Sequence, residues 1–217
     1  MGYTLFFIEL ICFLAGCLLW RKNWLPQYKM LVLLMGLTVL VDRVAYILNI
    51  RYHLNVWLFN FFSPLEACAY ICFFYLESVH PAMRRLYRCL LAAMVPALLI
   101  TWLIQPHLFI FNQYGYIAGL FLLLLAAASF FIEDMLSRTD GNLTLHPAFW
   151  LAAGAIPFCC IHILLFALLF YVVKIPLRYF ACVNTIANLF LYVGVTGCFF
   201  TINRAAHRRG NPAVNRG

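Results

Sequence analysis

The chain predicts an all-α, polytopic membrane protein: a bundle of seven transmembrane helices, N-terminus outside and C-terminus in the cytoplasm. Three observations carry that prediction. Of 217 residues, 66% are hydrophobic and only 10% are charged, against roughly 45–50% apolar and about 25% charged in an ordinary soluble domain. The apolar residues come in continuous runs of about 20, long enough to cross a hydrocarbon core as helix. They do not alternate, which excludes a barrel, and a helix satisfies its own backbone groups in lipid. Finally, the basic residues are unevenly divided between the two sides that seven crossings define.

In chain order the runs give spans at about 4–20, 30–50, 55–76, 86–104, 114–134, 148–172 and 178–201, one domain over residues 1–203. Arg21, Lys22 and Lys29 follow span one, and Arg84, Arg85 and Arg88 follow span three. Arg138 follows span five, and Arg204, Arg208, Arg209 and Arg216 follow span seven. These eleven fall on one side; Arg51, Lys174 and Arg178 fall on the other. The positive-inside rule puts the side with eleven in the cytoplasm. Residues 204–217 form a short basic tail, rich in breakers and expected to be disordered, within reach of anionic headgroups.

The net charge of +8 would point to nucleic acid in a soluble chain. Here it sits in loops and tail, so the expected partner is the bilayer and no nucleic acid. The nine cysteines lie in or beside apolar spans without a CxxC pair, which reads as packing and not as disulfides or zinc. Leu14-Ala15-Gly16-Cys17 has the form of a bacterial lipobox, but the positive charges follow the cysteine and Glu9 interrupts the apolar run, the reverse of a signal peptide. Asn142-Leu143-Thr144 fits a glycosylation acceptor, on a loop this topology places in the cytoplasm. Trp20, Trp24, Trp57, Trp102 and Trp150 fall near span ends and read as interface anchors.

Function is sought in the polar residues inside the apolar runs, because a charge at such depth is costly. Span three, NVWLFNFFSPLEACAYICFFYL, holds Glu66 near its middle, with Asn60, Ser63 and Tyr70 at helical spacing. Pro64 cannot donate to the Asn60 carbonyl. Span two puts Thr38, Asp42, Tyr46 and Asn49 on one face; His162 follows Pro157 on span six; Asn184 and Asn188 lie one turn apart on span seven. At 1.5 Å per residue, Glu9, Asp42, Asn60, Glu66, His162 and Asn184 sit roughly 7–17 Å below the outer boundary. A polar pocket opening outward above an apolar plug follows. Its ligand-binding candidates are Asp42, Asn60, Glu66, His162, Asn184 and Asn188; Glu9, nearer the surface in this reading, is left out. Asparagines on facing helices are equally the usual glue between membrane helices, worth about 0.6 kcal/mol each. Arg43 has a structural reading too, as a staple to a carboxylate on a neighbouring helix.

Four function classes are weighed. A retinal protein needs a lysine in span seven, and Lys22, Lys29 and Lys174 all lie outside the spans. A metal-dependent intramembrane hydrolase would use Asp42, Glu66 and His162, two carboxylates and one imidazole; Ser129 with His162 lacks a glycine-flanked motif. The sequence names no cofactor. A small-solute transporter of the three-plus-one-plus-three type shares the outside N-terminus. Asn60 with Asn184 or Asn188, and Pro26-Gln27, resemble the helix-three and helix-seven asparagines and the proline–glutamine motif of such sugar transporters. That resemblance implies carriage, but 114–150 has no matching proline–glutamine pair and no repeat is evident. The remaining class, and the reading adopted, is a receptor- or sensor-like or accessory bundle that binds a small ligand and signals through a separate partner.

The runs FNQYGYIAGLFLLLLAAASFFIEDML (111–136) and HPAFWLAAGAIPF (146–158), with the asparagine-bearing seventh span, resemble a group of small, uncharacterised seven-helix membrane proteins of bacteria. The resemblance implies a stand-alone bundle in the bacterial inner membrane and says nothing about chemistry.

Overall fold

The computed structural model describes residues 2–21, 24–52, 55–107, 109–137, 143–171 and 176–210. They form seven α-helices and one short 3-10 turn, Leu143–Leu145, with no strand among the described residues. The helices are α1 (Gly2–Leu19), α2 (Pro26–Tyr52), α3 (Val56–Glu77), α4 (Pro81–Ile104), α5 (Gln113–Ser137), α6 (Pro147–Tyr171) and α7 (Leu177–Gly210). Six of them, α2 to α7, are long and apolar enough to cross a membrane; α1 has a shorter apolar stretch, Thr4–Leu19.

Three helices have proline as the first helical residue, Pro26, Pro81 and Pro147, and the first two begin about a turn ahead of the apolar runs. Proline lacks the N–H that would be orphaned there and its φ is already helical. The extra turns carry Lys29, Arg84 and Arg85, charges that end a hydropathy run without ending a helix. Inside α3, α4 and α6 lie Pro64, Pro96 and Pro157. The expectation for residues 204–217 falls partly on α7, which continues to Gly210. Residues 211–217 lie outside the described residues, as does Asn142 of the glycosylation motif.

The packing order is a ring. α1 packs on α2, α2 on α3, α3 on α5, α5 on α6, α6 on α7, and α7 back on α1; α4 packs on α3 and α5 from outside. Toward one end the ring is filled by large side chains that are almost wholly buried, among them Tyr70, Ile71, Phe73, Phe74, Leu191 and Phe199. Trp24 belongs to this core. It is 4% exposed and lies between Trp20 and Phe199, a correction to its reading as an interface anchor: the α1–α2 connection folds it inward. Trp20, Trp57 and Trp102 stay exposed.

α6 and α7 approach most closely at glycine. A Cβ on Gly194 would lie 2.5 Å from the Trp150 carbonyl oxygen and 3.0 Å from Gly154 Cα. With neither side chain present the two backbones touch, the usual way that membrane helices gain dispersion contacts.

Candidate functional site

Toward the other end the ring is hollow. A cavity of about 220 Å³ lies between α1, α2, α3, α5, α6 and α7. Glu9, Thr38, Asp42, Ser63, Glu66, His162, Asn184, Asn188 and Tyr192 are its polar lining, and Leu5, Phe59, Phe62, Phe111, Tyr116, Phe158 and Phe166 the rest. Leu5 and Phe59 stand near the starts of α1 and α3, Phe166 near the end of α6, and Phe111 just before α5. These are one end of an antiparallel bundle, so the cavity has an aromatic rim at the end where the chain starts and a carboxyl-rich wall below it.

Glu9 sits centrally rather than near the surface. It is 2% exposed, because α1 is gripped by α7: the Tyr192 hydroxyl donates to Glu9 Oε1 at 3.0 Å, and Cys12, about one turn on, points its thiol at the Tyr192 carbonyl at 3.8 Å. The Glu9 carboxyl faces that of Asp42. Its Oε2 is buried and receives no hydrogen bond from an N–H or hydroxyl of the described residues. Glu66, across on α3, is near enough to both to interact electrostatically. Arg43 does not turn toward them as the staple reading supposed; its guanidinium lies 3.4 Å from the centre of the Phe6 ring, a cation–π contact on the α1 side.

His162 is held at both ring nitrogens. Nδ1 lies 3.0 Å from the Phe158 carbonyl and Nε2 lies 2.9 Å from Asn184 Oδ1. A neutral imidazole has one N–H only, so both contacts are satisfied when Nδ1–H donates to Phe158 and the Asn184 amide turns its NH₂ toward Nε2. Asn188 in turn donates from Nδ2 to the Asn184 backbone carbonyl at 2.8 Å. Phe158 packs 4.4 Å from the imidazole, centre to centre, and Tyr116 and Phe166 close the other sides at 6.0 and 6.3 Å.

Of the residues singled out by sequence, the structure brings Asp42, Glu66, His162, Asn184 and Asn188 to this one cavity. Asn60 goes elsewhere. Its Nδ2 donates to the Ile110 carbonyl and its Oδ1 accepts from Asn112 N–H, both at 2.9 Å. Asn112 then accepts from Gly115 N–H at 2.9 Å, capping α5, and donates to Thr101 at 3.2 Å. Asn60 thus pins the α4–α5 connection. Sequence reading passed over Tyr192, Tyr116 and the phenylalanine rim, because in a chain with 12 tyrosines and 21 phenylalanines no pattern separates a lining ring from a packing one.

At the plugged end lies a second polar group, also missed. Glu133, 5% exposed, accepts from Ser78 Oγ at 2.8 and 2.9 Å and from the N–H groups of Val79 and His80, both at 3.0 Å, just before α4 begins. His146 lies 3.2 Å from Asp134 and 3.6 Å from Glu77, and Glu77 accepts from Gln27 at 3.0 Å. The partners lie near the ends of α2, α3 and α5 and in the connections just before α4 and α6, so this is a clamp between helices. Among the described residues no three His, Cys, Asp or Glu side chains converge as a metal would require. Ser129 lies thirteen residues along α5 from Tyr116, about 20 Å of helix from His162, too far for a dyad.

No protein-family model, curated protein or solved structure matches the chain.

Proposed function

We propose that this chain is a receptor- or sensor-like membrane bundle that holds a small ligand in the hollow half of its ring and does not transform it. On this reading all seven helices cross the bacterial inner membrane, with the N-terminus outside and the cavity opening outward. α1 has 18 residues, about 27 Å of helix, close to the roughly 30 Å of a hydrocarbon core.

One observation carries the proposal: polar side chains from α1, α2, α3, α6 and α7 line a single cavity of about 220 Å³. An apolar cavity of roughly 150 Å³ already admits benzene, so there is room for a small molecule. Ionisable groups at membrane depth are costly and mark functional sites. Hydrolysis needs a nucleophile beside a free base, or a metal-binding set. Both ring nitrogens of His162 already have partners, so it is occupied as base and as ligand. Binding remains, with Pro64 and Pro157 in the walls as points where α3 and α6 can bend, and a separate protein to receive the signal.

A carrier is the second reading, favoured by the position of α4. With α4 outside, the cavity lies between two three-helix sets, α1–α3 and α5–α7, the arrangement of a three-plus-one-plus-three transporter. Carriage would require the plug and the Glu133 and His146 clamp to part.

Native mass spectrometry of the protein in mild detergent, beside Asp42→Asn/Glu66→Gln, tests the proposal. A small molecule retained by the wild type and lost from the variant is the expected result. If both proteins are bare while the variant unfolds at lower temperature, the carboxyls hold the helices together and the ligand reading fails.

A further inference from the structure

We infer that the occupant is a small organic cation, a protonated amine seated among the carboxyls of Glu9, Asp42 and Glu66 with its apolar body against Phe158, Phe166 and Tyr116. This rests on the ligand-binding reading above and names the chemistry of what is bound.

Three carboxyls from three helices line the cavity, and no Lys or Arg is among its described lining residues. Arg43, adjacent to Asp42 in sequence, lies over Phe6. Glu9 is 98% buried, its carboxyl is within hydrogen-bonding reach of the Asp42 carboxyl, and no N–H or hydroxyl of the described residues donates to its Oε2. Two facing carboxyls can hold one proton between them, and the negative charge that remains is expensive to bury without a cation. An ammonium group meets that need with three N–H donors and a positive charge.

Other occupants fit less well. An anion would add charge to a wall of acids. A neutral molecule would leave the acidic wall with only a proton shared by Glu9 and Asp42 and nothing to pair with Glu66. A metal ion would want three convergent ligands, which the described residues do not offer, and would leave the aromatic half bare. A proton shared by Glu9 and Asp42 would satisfy that pair and leave about 220 Å³ empty. An amine with a ring or short chain fills both halves, its ammonium at the carboxyls and its apolar body against Phe158, Phe166 and Tyr116.

Three probes of one shape and different charge test this by titration calorimetry of the full chain in detergent against a detergent blank: 2-phenylethylamine, 2-phenylethanol and phenylacetate. The amine is expected to bind saturably, at least tenfold more tightly than the alcohol, with no binding of the acid. Glu9→Gln and Glu66→Gln are each expected to weaken the amine roughly 10- to 100-fold, as loss of a desolvated charge partner does, while leaving the alcohol within about threefold. Should Glu9→Gln fail to fold, Glu66→Gln carries the comparison, since Glu66 is only partly buried. Equal or tighter binding of the alcohol or the acid overturns the cation assignment and leaves the ligand cavity standing. If no probe binds, the charge of any co-purifying molecule decides, an organic cation supporting the assignment and any other species overturning it. If nothing binds and nothing co-purifies, both readings fall.

Discussion

At the scale of single residues, one hydroxyl holds the first helix to the last. Among the described residues Tyr192 supplies the one hydroxyl or N–H that donates to the buried Glu9 carboxyl, and Glu9 is nearly without exposure. Tyr192→Phe keeps the ring and removes the donor, which leaves a buried acceptor unmet at a cost of about 1–3 kcal/mol. A lower thermal unfolding midpoint in detergent, restored in part by Glu9→Leu on the same background, is the expected result; an unchanged midpoint would show that the contact is idle. The residue scale is also where sequence reading was most uneven. Asp42, Glu66, His162, Asn184 and Asn188 were legible because a polar group deep in an apolar run is conspicuous by its cost. Glu9 was equally conspicuous and was set aside for its nearness to the N-terminus, which ignored that α7 could fold over it. Asn60 was misplaced for a different reason. Its partners are backbone groups of residues 110–112, about fifty positions away, and no local spacing shows that.

At the scale of elements, existence and order were readable, and ends were not. Hydropathy marks where lipid begins, whereas a helix starts where its first turn can be satisfied, and three helices do so at proline. What apolar runs cannot show is which faces meet. The α6–α7 pair is the most intimate in the bundle, and it carries His162, Asn184 and Asn188 at one end because Gly154 and Gly194 let the backbones touch below. Gly194→Leu must push its Cβ against the Trp150 carbonyl and the α6 backbone, neither of which yields as a flexible side chain would. A loss of about 1–3 kcal/mol, read as a fall in the unfolding midpoint, is expected, with Asn184 drawn away from His162. Gly119→Ala is the control: a Cβ there meets Ala67 at an ordinary 3.8 Å, so its midpoint should hardly move.

At the scale of the whole molecule, the ring is hollow at one end and both plugged and clamped at the other. Composition alone announced a helical membrane protein. The division into polar and apolar halves followed from depth, since seven alternating helices bring Glu9, Asp42, Glu66, His162 and Asn184 to similar heights. The ring itself, with α4 outside, was not legible, because every helix is apolar on most of its surface and lipid-facing and core-facing positions look alike. The proposed orientation, N-terminus outside, rests on the asymmetry of eleven basic residues against three. A fluorescent protein fused to the C-terminus should therefore shine and alkaline phosphatase fused there should be inactive; the opposite pair of results would turn the cavity to the cytoplasm. The central claim, that the hollow end holds a small molecule, meets its most direct test in an experimental density map of the wild-type protein taken from its native membrane into lipid nanodiscs. The account predicts compact non-protein density beneath Phe111, in contact with Glu9, Asp42 and Glu66. Side chains filling the space, or a lipid tail threading between the helices, would contradict it.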